Sequence, residues 1–253
     1  MNTILFEQHE LDSESRIRLS VGDKRVDHVR NVLRAVPGDR LSAGIVDGEL
    51  GVAELENDSS DGMVFAFTPS AIDPSVGESA GAVPVAVLLG SVRPIVLRRL
   101  LRDLTSFGVD EILVARTELS ERSYYHAKLW EAARLRAVLI EGAAQGGRTR
   151  LPRIGRYDSL PQALGNAERS RREDEVRIVL SFGSPSLPDA VTERSCARVV
   201  LAVGPERGFI ERETALLGEH GFVAVGVPGG TLRTESAAIA GVAVARSVIR
   251  AND

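Results

Sequence analysis

The chain has 253 residues, of which 43% are hydrophobic and 26% are charged, and its net charge at pH 7 is −4. These proportions are typical of a folded globular protein and exclude a fibrous or disordered chain. No apolar run approaches the roughly 20 residues of a membrane span, and the first ten residues lack the basic start of a secretory signal, so we expect a cytoplasmic protein without membrane contact. A single cysteine, Cys196, and four scattered histidines disfavour a disulfide scaffold and a zinc enzyme, and no metal is implied.

Residues 1–72 have the pattern of a small β-barrel. Short strand-like pieces alternate there with turn sequences rich in glycine, proline and aspartate: 40–46, 51–56 and 63–68. The following stretch, 69–84, is rich in serine, alanine, glycine and proline, which is the composition of a linker. We therefore place the domain boundary in this stretch and a second domain over residues 83–253.

A basic island lies inside the acidic first third of the chain. The first 75 residues carry 14 acidic and seven basic residues, yet residues 16–34 contain six basic residues against two acidic ones. Apolar residues at helical spacing predict a helix over 23–35, with Asp23 as its N-cap. This helix would carry three of the arginines, and it either contacts phosphates or forms an ordinary solvated surface.

From residue 83 onward, apolar strand-like runs alternate with amphipathic helix patterns. The predicted strands are 84–89, 111–115, 176–180, 198–203 and 222–227. The predicted helices are 94–107, 127–144, 211–219 and 234–250. Strands that are apolar on both faces and separated by helices indicate an α/β domain whose parallel sheet is covered on both sides. In such sheets, ligands bind at the carboxyl ends of the strands.

Three loops at that edge, 181–185, 204–209 and 228–236, each combine glycine with proline. Glycine lets the backbone approach a ligand and proline fixes a turn, so the loops would form a cleft of main-chain groups suited to adenine and ribose. The plainer alternative is that these residues only end strands. No G-x-G-x-x-G or P-loop motif is present, which removes the main support for an oxidoreductase or a phosphotransferase. S-adenosylmethionine is a cofactor that needs no phosphate cradle.

Two stretches, Gly204-Pro205-Glu206-x-Gly208-Phe209 and Leu232-Arg233-Thr234-Glu235-Ser236-Ala237, resemble a family of bacterial methyltransferases that modify uracil N3 in 16S ribosomal RNA. That family belongs to the SPOUT, or α/β-knot, class. Further positions resemble the family's N-terminal RNA-binding barrel and its middle: His28, Val32-Leu33-Arg34, Gly38-Asp39, Glu141, Gln145, Arg148 and Pro152. The resemblance therefore covers nearly the whole chain.

The resemblance implies a PUA-like β-barrel, a C-terminal α/β trefoil-knot domain, a homodimer, and S-adenosylmethionine held by the knotted loops. Its partner would be the ribosomal RNA of the small subunit. Carried over position by position, it implies these cofactor-binding residues: Gly183, Gly204, Pro205, Glu206, Gly208, Val227, Gly229 and Leu232. On the first domain we expect these RNA-binding residues: Arg25, His28, Arg30 and Arg34. A structural role for His28 is equally well supported.

Arg233 and Glu235 are the candidate catalytic residues. Uracil N3 must lose a proton, and an arginine stabilises negative charge that develops on the flanking carbonyl oxygens. Glu235 would orient Arg233, accept a proton, or cap the helix that begins near Thr234. Helix capping is an equally good account of Thr234, Glu235 and Ser236 together.

Departures from the family pattern leave the substrate open. Arg207 stands where the family has a second glycine, and Gly230 lies where it has an arginine. The alternatives are a knotted paralogue that acts on another RNA position and a non-catalytic RNA-binding or ribosome-assembly protein. We also expect the aromatic residues Tyr124, Tyr125 and Trp130 to pack beside a helix and not to stack on bases.

Overall fold

The structure is a computed structural model that describes residues 3–70, 83–190, 194–227 and 230–251. It divides into two compact units. The first unit holds residues 1–80 and 140–151, and the second holds residues 81–139 and 152–253. The sequence predicted two domains with one boundary between them, so the assignment of 140–151 to the first unit is new. Most of the predicted linker, residues 71–82, lies outside the described residues.

A five-stranded sheet forms the first unit. Its strands are β1 (Ile4–Phe6), β2 (Arg16–Ser20), β3 (Arg40–Ile45), β4 (Leu50–Ser59) and β5 (Gly62–Pro69), in the order β1-β3-β4-β5-β2. β1 pairs with β3 in parallel, and the other pairs are antiparallel. Alternate side chains point to one face and form the core, led by the buried residues Phe6, Ile17, Leu55, Met63 and Phe65. The three predicted strands are confirmed, whereas β1 and β2 were not predicted.

The predicted helix over 23–35 is present only in part. Helix α1 (Lys24–His28) begins at Asp23, whose side chain accepts a hydrogen bond from the Arg25 backbone N–H, so the predicted N-cap is confirmed. The chain then passes through a π-type turn (Val29–Leu33) and ends at Arg34 with a left-handed φ of 55°. The prediction of a continuous helix was wrong, because periodicity does not reveal such a change of turn.

A six-stranded, all-parallel sheet forms the second unit, in the order β12-β9-β11-β6-β7-β8. Its strands are β6 (Val85–Gly90), β7 (Glu111–Ala115), β8 (Arg153–Tyr157), β9 (Glu175–Leu180), β11 (Arg198–Val203) and β12 (Val223–Val225). Two short strands, β10 (Arg194–Cys196) and β13 (Ile249–Ala251), pair separately in parallel. The predicted α/β class is confirmed.

Helices connect these strands: α2 (Pro94–Ser106), α3 (Arg122–Tyr125), α4 (Ala132–Gly146), α5 (Leu160–Arg169), α6 (Leu187–Ala190), α7 (Glu211–Glu219) and α8 (Thr234–Val248). The long helix predicted from residue 127 begins instead at Ala132, after a 3-10 turn over Lys128–Trp130. Strand β8 and helix α5 were not predicted. Within the described ranges, no helix is both long enough and apolar enough to cross a bilayer.

Helices cover both faces of the parallel sheet. On one face, buried residues of α5 and α7 pack in a single cluster with Leu88, Leu113 and Val200. On the other face, α8 comes close at Gly241, where a Cβ would lie 2.9 Å from Leu201 Cδ2. Because Val200 and Leu201 are consecutive in β11, their side chains point to opposite faces.

The strand order creates a switch point between β6 and β11. From β6 the chain continues to β7 and then β8 on one side, whereas from β11 it continues to β12 on the other side of the sheet. The loops that leave the carboxyl ends of these two neighbouring strands therefore diverge. Such a divergence opens a crevice, which is where open α/β sheets bind their ligands.

Residues 140–151, which include the last part of α4, pack within the first unit. Ala143 is fully buried with Leu5 and Val46, and the Thr3 N–H donates to the Ala144 carbonyl at 3.1 Å. Beyond the helix, the Thr149 hydroxyl donates to the Gly48 carbonyl at 2.6 Å. These contacts complete the core beside β1 and β3, so the first unit depends on a segment far along the chain.

A chain of buried ion pairs crosses the amino-terminal edge of the parallel sheet. Glu111, Glu175 and Arg198 are the first residues of β7, β9 and β11, and Arg198 pairs with both glutamates. Arg177, whose side chain is 1% exposed, pairs with Glu175 at 2.7 Å and also with Glu168 of α5. Its guanidinium also donates to the His220 carbonyl at 3.0 Å. Buried charges are tolerated only when paired and hydrogen-bonded, so each member needs the others.

Replacing Arg177 with alanine should therefore lower the free energy of unfolding by about 3–5 kcal/mol, because Glu175 loses its principal partner while it remains buried. Urea denaturation followed by circular dichroism measures this change. Arg171→Ala is the matched control, since Arg171 pairs with the same Glu168 at 3.4 Å but is 51% exposed. It should change the free energy by less than about 1 kcal/mol. Equal losses in the two variants would contradict this account of the buried pairs.

Candidate functional site

The three glycine- and proline-containing loops leave neighbouring parallel strands. Strands β12, β9 and β11 are adjacent, and their parallel direction puts their carboxyl ends at one edge of the sheet. The loops after β9, β11 and β12 therefore meet at the predicted edge of the sheet. We call them the first, second and third loops: residues 181–186, 204–210, and 226–227 with 230–233.

The second loop lies directly against the end of β6. A Cβ on Gly90 would lie 2.4 Å from Pro205 Cδ and 2.7 Å from the Pro205 nitrogen. No side chain fits in that space, so the close approach requires glycine. Gly204 is also confined, since its Cβ would lie 3.0 Å from both Gly208 Cα and the Phe209 nitrogen. The second loop is therefore folded tightly on itself and held against β6.

Glu206 connects the second loop to the start of α2. Its Oε1 accepts a hydrogen bond from the Arg93 backbone N–H at 3.2 Å, and Arg93 is the N-cap residue of α2. A carboxylate there meets the positive end of the helix dipole. Glu206 therefore connects to a helix more than 100 residues earlier in the chain.

A second glutamate fixes the other end of this loop. The Glu213 carboxylate, on α7, accepts from the Ile210 N–H at 3.0 Å and from the Glu118 N–H at 2.8 Å. Glu213 is 6% exposed, so both bonds are largely shielded from water. They tie the start of α7 to the segment that follows β7.

Backbone hydrogen bonds join the first loop to the third. The Ser181 N–H donates to the Val225 carbonyl at 2.9 Å, and the Gly226 N–H donates to the Pro185 carbonyl at 2.7 Å. The Leu187 N–H in turn donates to the Gly226 carbonyl at 2.8 Å. A Cβ on Gly226 would lie 2.9 Å from the Ser184 carbonyl oxygen, so this junction too requires close main-chain approach.

Open space lies beside the predicted cofactor-binding glycines. Gly183 and Gly208 have positive φ values of 80° and 73°, and neither they nor Gly230 would bring a Cβ within 4 Å of another part of the chain. Phe182 is 79% exposed and Leu232 is 40% exposed. The main chain of these glycines is thus accessible, and the first and third loops each carry an exposed apolar side chain, a combination that suits a ligand with an apolar ring and hydrogen-bonding edges. Val227 is half-buried, and Gly229 lies outside the described residues.

The two candidate catalytic residues lie at the start of α8. Arg233 is its exposed N-cap residue, and no side-chain hydrogen bond caps the helix there. Glu235 lies half-buried in the first turn, whereas Thr234 is buried. No carboxylate among the described residues pairs with Arg233. Its guanidinium is therefore available at the edge where the three loops meet.

Two of the four predicted RNA contacts are engaged in ion pairs. The Arg25 guanidinium binds Glu10 and Asp23, each at 2.6 Å, and donates to the Leu5 carbonyl at 3.0 Å. Arg30 pairs with Asp58. A phosphate would have to compete with these carboxylates, so both arginines stabilise the first unit.

The other two predicted RNA contacts are without such partners. Arg34 is exposed, and within the described ranges no carboxylate pairs with it. His28 Nε2 is buried and has no hydrogen-bond partner there. Both flank the π-type turn, where Val32 is 65% exposed. The basic island is therefore partly neutralised and partly available.

Sequence reasoning missed the supports of the loops. Gly90, Arg93, Glu213 and Gly226 carry no motif of their own, and each acts through a partner distant in the chain. A glycine at the end of a predicted strand is a visible signal for Gly90 and Gly226. The sequence does not indicate what packs against either one.

Comparison with known proteins identifies the family. Residues 79–246 match a family model described as an RNA methyltransferase domain. The chain is also 34% identical over 252 residues to ribosomal RNA small subunit methyltransferase E of Treponema pallidum (strain Nichols), covering 96% of this chain and 90% of the relative. The chain belongs to the RNA methyltransferase family. The resemblance inferred from the second and third loops is thus confirmed.

Further relatives of this methyltransferase agree. Ribosomal RNA small subunit methyltransferase E 1 of Borreliella burgdorferi (strain ATCC 35210 / DSM 4680 / CIP 102532 / B31) is 31% identical over 228 residues, which cover 90% of this chain and 92% of that protein. Among solved structures, ribosomal RNA small subunit methyltransferase E of Neisseria gonorrhoeae bound to S-adenosyl methionine has a TM-score of 0.74 at 21% identity, over 98% of this chain and 97% of that one. A putative methyltransferase of Legionella pneumophila with bound SAM also has a TM-score of 0.74, at 20% identity over 98% and 99% of the two chains.

Gly90→Ala tests the support of the second loop. The added methyl group would overlap Pro205, so we expect the free energy of unfolding to fall by about 1–3 kcal/mol in chemical denaturation. Gly165→Ala is the control, because a Cβ at Gly165 in α5 meets nothing within 4 Å. It should be neutral or slightly stabilising. An unchanged free energy of unfolding in Gly90→Ala would show that the second loop moves away from the added methyl group without loss of stability.

Arg25→Met tests the structural role of a predicted RNA contact. Burial alone would raise the pKa of Glu10, but hydrogen bonds from Arg25 and from the Glu7 N–H hold it below its usual 4.5. The hydrogen bond from Arg25 also lowers the pKa of Asp23 below its usual 3.8. Loss of this charged donor should lower the free energy of unfolding at pH 7 by about 2–3 kcal/mol.

The pH dependence gives a sharper test of the same variant. Because both carboxyl pKa values are depressed in the folded state, their stabilisation is present above the unfolded-state values and is lost as the pH falls through the folded-state values. The difference between wild type and Arg25→Met should therefore shrink from about pH 5 to about pH 2 in urea titrations. Arg16→Met, at an arginine that is 39% exposed, is the control and should change little. A difference that stays constant with pH would contradict the assignment.

Proposed function

We propose that this protein transfers a methyl group from S-adenosylmethionine to N3 of a uridine in the 16S ribosomal RNA of the small subunit. The observation that carries the proposal is the meeting of the three glycine-containing loops at the carboxyl edge of the sheet, with Arg233 exposed at that edge, in a chain of the RNA methyltransferase family. The names of its relatives, which specify the ribosomal RNA of the small subunit, support the substrate.

The cofactor would be held mainly by main-chain groups. The residues assigned to it are Gly183, Gly204, Pro205, Glu206, Gly208, Val227, Gly229 and Leu232. Gly183 and Gly208 leave room for close approach, and the part-exposed Leu232 side chain would cover an adenine ring. Glu206 would act indirectly, by positioning the second loop, since its carboxylate accepts a hydrogen bond from the start of α2. The two solved structures with bound S-adenosylmethionine support this choice of cofactor.

When bound, S-adenosylmethionine supplies an electrophilic methyl group on its sulfonium. The protein's task is to align uracil N3 with that group and to stabilise the charge that remains as the N3 proton leaves. Arg233 would donate hydrogen bonds to a carbonyl oxygen flanking N3. Glu235, two residues later on the same helix turn, would orient Arg233 or accept the proton. Among the described residues, the N-cap side chain of α8 makes no capping hydrogen bond, and Glu235 lies half-buried in the first turn.

The finer architecture is part of the same proposal. Residues 1–72 would form a PUA-like β-barrel that holds RNA, with the exposed Arg34 available for contacts and His28, whose Nε2 is buried, beside it. Residues 83–253 would form the trefoil-knot methyltransferase domain, which the backbone bonds between the first and third loops support. We also propose a homodimer in the cytoplasm. The 64% exposed Ile95 on α2 supports an interface there.

A second candidate is a knotted paralogue that methylates another RNA position. Arg207 is exposed on the second loop, where the resembling family has glycine, and Gly230 is exposed where that family has arginine. An arginine moved from one loop to another would present a different donor to the RNA base. Identification of the modified nucleotide separates this candidate from the first.

Calorimetric titration of the full chain with S-adenosylmethionine, followed by methyl transfer to small ribosomal subunits from a strain that lacks the gene, tests the proposal. Binding with transfer to N3 of a single uridine is the expected result. Binding with transfer to another nucleotide would favour the paralogue. Absence of binding would contradict the proposal and favour a non-catalytic RNA-binding or assembly protein.

Arg233→Ala should lower kcat for methyl transfer by about 10²- to 10³-fold, because one donor to the developing oxyanion is removed. Its affinity for S-adenosylmethionine should stay within about twofold of wild type, since the cofactor contacts are mainly main-chain groups. Steady-state kinetics and calorimetry on one preparation measure both quantities. Arg169→Ala, at an exposed arginine of α5, serves as control. Unchanged turnover of Arg233→Ala would remove Arg233 from the catalytic residues.

A further inference from the structure

A stacked arginine lies on the second unit, outside the three loops. Arg156 belongs to β8, and its guanidinium carbon lies 3.7 Å from the ring centre of Tyr125 and 5.2 Å from that of Trp130. Tyr125 ends α3, and Trp130 ends the 3-10 turn that follows. The ring of His126 meets Tyr125 edge-on at 5.5 Å. Tyr125 and Trp130, which we expected to pack beside a helix, thus pack against a cation.

Arg156 differs from the other arginines that stack on aromatic rings. Among the described residues there are two of these, and both have carboxylate partners: Arg25 pairs with Glu10, and Arg177 pairs with Glu175. Arg156 is exposed, and in the part of the chain that the structure describes no carboxylate pairs with it. Stacking without a counter-ion therefore distinguishes it from the two structural arginines.

Stacking prepares an arginine to bind an anion. A free arginine side chain loses rotamer entropy when it forms a defined contact, and the aromatic rings around Arg156 restrict that freedom in advance. Contacts on the faces of a guanidinium leave its N–H groups, which lie in the plane, free to donate. Two parallel N–H donors match the geometry of a phosphate and form charge-assisted hydrogen bonds. An exposed donor pair stacked in this way suits a phosphate.

We propose that Arg156, positioned by Tyr125 and Trp130, binds a backbone phosphate of the RNA substrate. This proposal rests on the proposed function, because an RNA substrate supplies the phosphate. It adds a contact on the methyltransferase unit itself, separate from those expected on the first unit. Arg156 is a binding residue, and its effect should be on affinity for RNA and not on the chemical step.

The segment between β7 and α4, which carries Tyr125 and Trp130, also lines a cleft of about 570 Å³ at the carboxyl edge of the sheet, to which it contributes Arg116 and Arg122. Among the described residues, neither arginine has a carboxylate partner. The acidic Glu118 in the same cleft is paired with Arg212 at 2.5 Å.

Asp158, Glu213 and Glu219 also line the cleft, so that with Glu118 it holds four carboxylates against three arginines. The phosphate is for this reason assigned to the stacked Arg156 and not to the cleft as a whole. Arg116 and Arg122 would then act on neighbouring groups of the same strand of RNA. An unpaired stretch of RNA suits this surface, because its backbone can follow a bent path.

Steady-state methyl transfer to small ribosomal subunits, with binding measured as a function of salt, tests the proposal. Arg156→Gln should raise the KM for subunits about tenfold, the loss expected for one charged hydrogen-bonding pair. The plot of log affinity against log salt should become shallower by about 0.7, since one phosphate contact is lost. The kcat and the affinity for S-adenosylmethionine should stay within about twofold of wild type.

Arg153→Gln is the matched control. Arg153 lies on the same strand, is 74% exposed, lacks an aromatic partner among the described residues and approaches Glu111 only at 3.9 Å. Its KM and salt slope should match wild type. Arg156→Lys keeps the charge without the planar donor pair, and its KM should rise about threefold. If Arg156→Gln proves unfolded by circular dichroism, the lysine variant decides the question.

Two results would overturn the proposal. One is a wild-type KM and salt slope in the folded Arg156 variants, which would also indicate that the stack serves a protein partner or packing alone. The other is an equal loss in Arg153→Gln, which would indicate a general effect of charge. Failure of the proposed function would give a different result. The wild-type protein and the Arg156 variants would then all fail to bind S-adenosylmethionine and to transfer methyl groups.

Discussion

The close approach of Pro205 to Gly90 sets the geometry of the candidate site. Strands β6 and β11 are paired so that Val203 lies opposite Leu89, and the residues that follow therefore leave the sheet at the same level. Because Gly90 has no side chain, the second loop can lie directly over the end of β6. Its Glu206 can then reach the start of α2. The positions of the main-chain groups in this site therefore depend on the packing of the second loop against β6.

The two edges of the parallel sheet have different roles. Buried ion pairs among the first residues of β7, β9 and β11 cross the amino-terminal edge, where Arg177 and Arg198 each have more than one partner. The carboxyl-terminal edge carries the glycine loops, the exposed Arg233 and the stacked Arg156. Charges at the first edge are neutralised and hold strands together, whereas these two arginines remain available for a ligand.

Local patterns predicted those parts of the fold that depend on local physics. The run 198–203 forms β11 and the run 211–219 forms α7, as predicted. A continuous apolar run and an amphipathic pattern can both be recognised from the sequence alone. Strand β8 was not predicted, because two arginines, Arg153 and Arg156, interrupt the apolar pattern of this edge strand. Arg25 and Arg30 were predicted to meet RNA, but their carboxylate partners Glu10 and Asp58 lie 15 and 28 residues away, where spacing carries no information. The glycine loops were located correctly, whereas the contacts that hold them depend on tertiary structure.

The most direct test of the central claim is an amide ¹H–¹⁵N spectrum of the full chain recorded with increasing S-adenosylmethionine. If the three loops form the cofactor site, the largest shifts should fall on Gly183, Gly208 and Gly230 and their neighbours. The amides of Glu175 and Arg198, at the opposite edge of the sheet, should remain unchanged. Shifts concentrated in the cleft lined by Arg116 and Arg122, or no shifts at all at saturating cofactor, would contradict the account.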